Sequence, residues 1–305
     1  MHSVLVITGP TASGKGSLAF ELAQRLGGEI VSMDSMKVYR ELDIVTAKPD
    51  TERRRKVPHH LLDIVDPDDD FSTGDYLNRL ESTLSDLRAR SVQPLISGGT
   101  ALYLKAYIEG FRDGPPADWE FRRRLLEEAE LYGVTVLHER LQAADPVAAG
   151  KIHCADLRRI VRALEVCSQT GQRASEEWTW GSQTAEKPCP VRLFGIAWER
   201  PQLYERINQR VERMVEQGLF DEVERLIRRQ PPLSRSAAQA IGYKEFLERD
   251  EQRLPDVVER IQQGSRRFAK RQMTWFRKFP IEWVPAGADP DPARWADEVL
   301  SRFTK

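Results

Sequence analysis

The stretch that decides the fold is Val4-Leu5-Val6-Ile7-Thr8-Gly9-Pro10-Thr11-Ala12-Ser13-Gly14-Lys15-Gly16-Ser17. A short apolar run stopped by Gly9-Pro10 predicts a fully buried strand over Val4–Thr8. From Ser17 to Leu26 the apolar residues recur at helical spacing, and Gly27-Gly28 ends the helix. A glycine-bracketed loop with a lysine, set between a buried strand and a helix, is the context a phosphate-binding loop requires. The glycines let consecutive backbone N–H groups turn toward one anion. The helix N-terminus adds partial positive charge, and Lys15 neutralises phosphate oxygens. Gly9, Pro10, Thr11, Ala12, Ser13, Gly14, Lys15, Gly16 and Ser17 are therefore the candidate anion-binding residues.

Outward from this loop the alternation continues. Glu29–Met33 predicts a second strand ending at Asp34, and Leu61–Val65 a third. Ser72 with Asp75 three residues later has the spacing of a capping box, opening a helix to about Arg90. Pro94–Ser97 predicts another buried strand, stopped by Gly98-Gly99 and followed by a helix over Thr100–Glu109. Strands alternating with helices predict an α/β fold, a P-loop NTPase-like parallel sheet flanked by helices. Between Gly114-Pro115-Pro116 and Lys187-Pro188-Cys189-Pro190 the strand signals vanish. Helices are expected at Phe121–Tyr132, Val134–Ala143 and Leu157–Gln169. The expected organisation is a core over 1–113, a helical insertion over 114–190, and a second core part over 191–305. That last part carries a strand at Val191–Trp198 and helices at Leu203–Gln217, Phe220–Arg229 and Val257–Lys278.

Charged residues make up 30% of the 305, and hydrophobic ones 40%, the balance of a soluble globular protein. No apolar run reaches the roughly 20 residues that span a bilayer. The chain enters Val4–Ile7 without space for a leader, which predicts a cytoplasmic protein. Cys154, Cys167 and Cys189 form no C-x-x-C pair, and neither a disulfide framework nor a zinc site is expected. His59 and His60, adjacent in an expected strand segment, point to opposite faces, which favours structural roles over a metal pair. The net charge of −1 hides basic islands: Arg53–Lys56, Arg122–Arg124, Arg158 with Arg159 and Arg162, and a run from Arg266 to Lys278. Each alone reads as a solvated helix face; together they suit a structured RNA.

Two details bear on chemistry. A hydroxyl ordinarily follows the P-loop lysine to hold magnesium, but here Gly16 comes first and Ser17 second, as in nucleoside monophosphate kinases. Ser17 is then the one candidate metal ligand. No strand after the loop ends in the Asp of an NTP-hydrolysing motor, which suggests a transferase whose diphosphate is a leaving group. Asp34 sits at the carboxyl end of a strand, where ligands bind in open sheets, and is a candidate general base or a mere turn cap.

In order and spacing, several further blocks resemble the tRNA dimethylallyltransferases. They are Asp34-Ser35-x-x-Val38-Tyr39-Arg40, Thr46-Ala47-Lys48-Pro49, Pro58-His59-His60-Leu61-Leu62-Asp63 and Gly98-Gly99-Thr100-x-Leu102-Tyr103. Arg159-x-x-Arg162-Ala163-Leu164-Glu165, Ile241-Gly242-Tyr243-Lys244-Glu245 and Lys270-Arg271-Gln272-x-Thr274-Trp275-Phe276-Arg277 complete the set, which covers nearly the whole chain. The resemblance implies that dimethylallyl diphosphate lies over Gly9–Lys15 with magnesium assisting. The acceptor is N6 of the adenosine 3′ to the anticodon. Asp34 takes the proton, Thr100 binds the bridging oxygen, and Lys15 and Arg210 share the developing charge. It also implies contacts to the tRNA anticodon stem-loop at Asp34, Ser35, Met36, Lys37, Thr100, Arg122, Arg158, Arg159, Arg162 and the Gln239–Lys244 segment with Gly242 and Tyr243. Arg271 and Trp275 on the last long helix join them, the aromatics of that helix being expected mostly in the core. The bacterial form is implied, since the zinc finger of eukaryotic relatives is lacking, and a monomer is expected. Lys37 stands where the family usually has Gln, and Val45 where it usually has Gly. The rival readings are a P-loop nucleotide or small-molecule kinase and an adenylate isopentenyltransferase acting on free AMP.

Overall fold

In a computed structural model, residues 3–111, 114–177, 190–247 and 254–303 are described. The strands are β1 (Val4–Thr8), β2 (Glu29–Met33), β3 (His59–His60), β4 (Pro94–Gly98), β5 (Val191–Ala197) and β6 (Glu282–Pro285). They form one sheet in the order β3-β2-β4-β1-β5-β6, with every neighbouring pair parallel. A parallel sheet is covered on both faces, which is why β1 is buried at every residue and reads as an apolar run rather than an alternation. Thr8 and Met33 both pair with Gly98. The loops that follow β1, β2 and β4 therefore leave the sheet at one edge, where open α/β sheets bind ligands. Only glycine fits at 98, since a Cβ there would lie 1.9 Å from the Met33 carbonyl oxygen.

The helices are α1 (Lys15–Leu26), α2 (Thr51–Lys56), α3 (Thr73–Ala89), α4 (Ala101–Glu109), α5 (Trp119–Tyr132), α6 (Val134–Ala144) and α7 (Pro146–Lys151). They continue with α8 (Leu157–Thr170), α9 (Ala174–Glu177), α10 (Arg200–Glu216), α11 (Leu219–Arg228), α12 (Tyr243–Leu247), α13 (Leu254–Phe276) and α14 (Pro292–Phe303). The capping box of α3 is formed in both directions between Ser72 and Asp75. One core packs Leu18 and Leu22 of α1 and Trp295 and Val299 of α14 on Leu5, Ile7, Phe194 and Ile196. A second gathers Val38, Tyr39 and Val45 with Val211, Val223, Phe246 and Ile261.

Short elements such as α2, α7, α9 and α12 were not expected, and two larger departures stand beside them. Leu61–Val65 is not a strand: pairing stops at His60, and Leu61 and Asp63 adopt φ of 58° and 56°. Asp63 is drawn into ion pairs with Lys48 and Arg54, each at 2.5 Å, and left-handed residues cannot continue a ladder. Val65 keeps a single bridge to Tyr39. At the other end, β6 and α14 have no counterpart in the sequence reading, although Trp295 and Val299 of α14 are buried against the sheet.

The chain divides into two compact units, Met1–Lys105 with Lys187–Lys305, and Ala106–Glu186. The second therefore starts inside α4, ahead of Gly114, while the expected boundary at Lys187-Pro188-Cys189, and Cys189 itself, lie outside the described residues. Its own core is built from α5, α6 and α8 around Leu125, Leu137, Leu141, Ile160 and Leu164. Two fully buried carboxylates organise it. Asp145 caps α7 through Ala148 N at 2.9 Å and accepts from the Ser175 amide and hydroxyl at 2.7 and 2.8 Å. Glu165 accepts from Asp118 N at 2.7 Å, from both Nε and Nη2 of Arg122 at 2.7 Å, and from Arg162.

Candidate active site

The loop between β1 and α1 is a turn with its carbonyls tied down. Gly9, Ala12 and Gly14 have φ of 146°, 60° and 90°. Lys15 Nζ donates to the Pro10 carbonyl at 3.1 Å, Arg206 Nε to Ala12 O at 3.0 Å, and Trp198 Nε1 to Ser13 O at 2.8 Å. The Thr11 amide donates to Gln272 Oε1 at 2.8 Å, and Gln272 Nε2 in turn donates to Gly99 O at 2.8 Å. One buried side chain thus fastens the P-loop to the loop after β4. With its carbonyls held by side chains, the turn leaves further amides for an anion at the N-terminus of α1, without reorganisation on binding. Gln272, Arg206 and Trp198 escaped the sequence reading. The signal for Gln272 was available: on α13 it is the one polar member of the buried set Val257, Ile261, Ala269, Gln272 and Phe276, and a polar group at a core position needs partners. Arg206 lies one turn from Arg210 on α10 and is drawn over the Trp198 ring at 4.3 Å.

Asp34 follows β2 at the same sheet edge. Its Oδ1 accepts from Met36 N at 2.9 Å and Lys37 N at 3.3 Å, while Oδ2 has no partner among the described residues. The two sequence readings of this residue, turn cap and base, are compatible, one oxygen for each. Thr100 Oγ1 accepts from Ser35 N at 3.0 Å and lies 3.4 Å from Ser35 Oγ, which ties the start of α4 to the turn after β2. Arg210 Nη2 reaches Thr46 O at 3.5 Å. Burial, with Arg210 nearby, pushes the Lys15 ammonium down to about 7 against the opposing pull of Asp34. Burial likewise takes Lys37 to about 8, with Asp34 opposing and Arg210 adding to the effect. Burial also lowers Arg210, which Asp34 again opposes. Three cations here share one carboxylate, and none is in direct ion pair with it. Such a pocket is electrostatically incomplete and suits a polyanion.

The residues expected to meet tRNA separate into two kinds. Arg158, Arg159, Gln239, Lys244 and Arg271 are exposed. Ser35, Met36, Lys37 and Trp275 are half-buried, and Lys278 Nζ lies 5.0 Å from the Trp275 ring centre. Phe268 is also half-buried, with Arg271 5.9 Å over its ring. The aromatics of α13 at 268 and 275 are thus less buried than expected, and Phe276 is the one in the core. Arg122 and Arg162 clasp Glu165, Arg162 also donating to Pro115 O at 2.9 Å, so that Arg122 ties α5 to α8 and Arg162 ties α8 to the segment ahead of α5. Tyr243 is 6% exposed, in the core, with burial raising its hydroxyl pKa. Gly242, at φ 111°, passes so close to Val45 that a Cβ would fall 2.9 Å from Val45 Cγ2. Buried Glu222 holds the Val45 segment by accepting from the amides of Asp43, Ile44 and Val45 at 3.1, 2.8 and 2.9 Å. His59 bonds the Val57 carbonyl at 2.7 Å, and His60 bonds Glu29 at 2.6 Å.

A parallel sheet with a P-loop at its centre, and three cations and a half-engaged carboxylate at the same edge, define a P-loop-like protein whose site suits a polyanion. The IPP transferase family matches residues 37–279, and the chain belongs to that family. It is 44% identical over 92% of its length to a tRNA dimethylallyltransferase of Geobacter metallireducens, 92% of which is covered. It is 43% identical over 99% of its length to that of Geobacillus thermodenitrificans, covering 95% of it. The crystal structure of the Bacillus halodurans tRNA isopentenylpyrophosphate transferase aligns over 100% of this chain and 97% of that one, with TM-score 0.70 and 37% identity. A eukaryotic dimethylallyltransferase acting on tRNA aligns over 99% of this chain and 77% of that one, with TM-score 0.76 and 27% identity.

Proposed function

We propose that this chain transfers the dimethylallyl group of dimethylallyl diphosphate to N6 of the adenosine 3′ to the anticodon in tRNA, releasing diphosphate. The observation that carries this reading is Asp34, whose Oδ2 has no partner among the described residues and lies beside a surplus of cations. The diphosphate seats on Gly9–Lys15. The N6 lone pair attacks the allylic carbon, the carbon–oxygen bond breaks, and its electron pair leaves on the bridging oxygen. The N6 proton passes to Asp34 Oδ2, as a positioned base requires. The Thr100 hydroxyl donates to the bridging oxygen, and Lys15 and Arg210 offset the charge that develops there, a stabilisation by groups already in place. The acceptor base has to leave its stack to enter, and Arg158 and Arg159 hold phosphates of the anticodon stem-loop.

Magnesium travels with diphosphates, and the residues here do not fit a protein-held ion. Gly16 offers no ligand, and the space beside it is open. Ser17 lies about 100° further round α1 and is absent from the lining of the cavity that Gly16 and Phe20 border. Among the described residues no three His, Cys, Asp or Glu side chains group as metal ligands. None of the described helices is long and apolar enough to cross a membrane, and we take the enzyme to act as a monomer in the cytoplasm. Incubation with labelled dimethylallyl diphosphate and either tRNA or AMP tests the assignment. Label is expected in tRNA; label only in AMP, or ATP turnover on a nucleoside monophosphate, overturns it.

A further inference from the structure

Gly16 and Lys37, two positions at which the chain departs from the pattern of the family it resembles, come from different segments yet line one cavity of about 130 Å³. Its other polar walls include Ser32 at the end of β2, Ser97 at the end of β4, Lys48 and Arg53, and no carboxylate lines it. A magnesium ion bound by protein is ordinarily held through one or two carboxylates. A cavity whose charged lining is Lys37, Lys48 and Arg53, beside two hydroxyls and the His59 imidazole, repels such an ion and attracts phosphate oxygens.

The cations of this cavity differ in how far they are committed. Lys48 Nζ is engaged by Tyr39 O at 2.6 Å, Asp43 at 2.8 Å and Asp63 at 2.5 Å. Arg53 lies out on α2, its guanidinium 5.3 Å over the Phe20 ring. Lys37 is half-buried, and its ammonium has no hydrogen bond or ion pair among the described residues. Holding a cation without a direct partner in that position costs stability, and the pull of Asp34 offsets only part of the cost.

We infer that Lys37 is a fixed cation of the donor site, binding the diphosphate from the side of the turn that Gly16 leaves bare and standing in for a protein-held magnesium ion. The inference rests on the donor site proposed above. Its chemistry is that of a lysine point charge on phosphate. The missing side chain at 16 and the added ammonium at 37 are then two halves of one change: a hydroxyl that recruits a metal has been exchanged for a charge that needs none. With an ammonium near 8, Lys37 is still largely charged at neutral pH.

The test is calorimetric titration of inorganic pyrophosphate into the full-length protein, first with EDTA and then with saturating magnesium. The native chain is expected to bind in EDTA. Lys37→Gln is expected to weaken that binding by about tenfold to a hundredfold, the value of a charge-assisted contact, and Lys37→Arg to retain most of it. Adding Gly16→Thr to Lys37→Gln is expected to restore binding only when magnesium is present. Equal affinity of the native chain and Lys37→Gln in EDTA, or binding by the native chain only with magnesium, overturns the inference. Failure of the native chain to bind pyrophosphate under either condition overturns the donor site itself, and the inference with it.

Discussion

The two units place the same kinds of charged residue in opposite states. Around Glu165, one carboxylate takes four hydrogen bonds, from the Asp118 amide, from Arg122 twice and from Arg162. Burial raises its pKa, but Arg122 and Arg162 outweigh this, and the net shift is downward. Around Asp34, among the described residues, Lys15 and Arg210 bond only backbone carbonyls, the Lys37 ammonium bonds none, and one carboxylate oxygen has no partner. The difference separates structure from function more sharply than residue type does. A buried charge with all its partners is holding the protein together; one without them is waiting for something the free protein lacks.

The sharpest way to break the contrast is Asp34→Asn, which keeps the turn cap but cannot accept a proton. Prenyl transfer should fall by about 10²–10⁴, with pyrophosphate binding by calorimetry little changed and the melting temperature held. Turnover like that of the native enzyme would take Asp34 out of the reaction. Glu165→Gln should do the converse, destabilising the Ala106–Glu186 unit by about 3–5 kcal/mol, as loss of one partner of a buried ion pair does. Urea unfolding followed from both units reads this out; a loss under about 1 kcal/mol would mean the cluster behaves as a surface pair.

Lys15→Met should move activity and stability in opposite directions. Transfer should drop by about 10²–10³, the worth of a preorganised charge at the leaving group, while the melting temperature of the free protein rises by about 2 °C or more. The pH dependence fixes the sign. Folding lowers the Lys15 pKa from 10.5 to about 7, so between those values the unfolded chain holds a proton the folded chain lacks, and native stability climbs with pH. The stability advantage of Lys15→Met should therefore be largest below pH 7 and close as pH approaches 10. A gap that widens with pH would contradict the assigned shift.

The smallest effect belongs to the exposed arginines. Replacing Arg158 and Arg159 with Ala should raise the KM for tRNA by about threefold to tenfold and reduce the salt slope by about two, leaving the KM for the prenyl donor and the melting temperature unchanged. Arg162→Ala should instead lower the melting temperature, because its partner is Glu165. If both substitutions act alike, pairing with Glu165 is no guide to function.

Local signals were the legible part of the sequence. The ends of β1, the ends of β2 and the capping box of α3 depend on neighbours a few residues away, and these were read correctly. The placement of the glycine-rich loop between β1 and α1, and of Asp34 after β2, was also legible, because a strand end carries its own geometry. What was not legible depended on distant partners. Leu61–Val65 has the apolar content of a strand, yet Asp63 is turned aside by Lys48 and Arg54. Arg122 looks like any arginine in a basic run, and only the fold brings Glu165, 43 positions later in the chain, to it. Gln272 shows as a polar residue at a core position of α13, but the group it holds, the Thr11 amide 261 residues away, leaves no local trace.

That bond has a mechanical consequence. At 23 residues, α13 is a rod roughly 34 Å long, and along its axis it is stiff. Its inner side grips the amide of Thr11 through Gln272, while Arg271, the residue before, faces solvent. A load applied to the outer side is therefore borne by the same rod that sets the height of the phosphate loop. The two sides belong to one helix, so a displacement of the outer side is carried to the Thr11 amide.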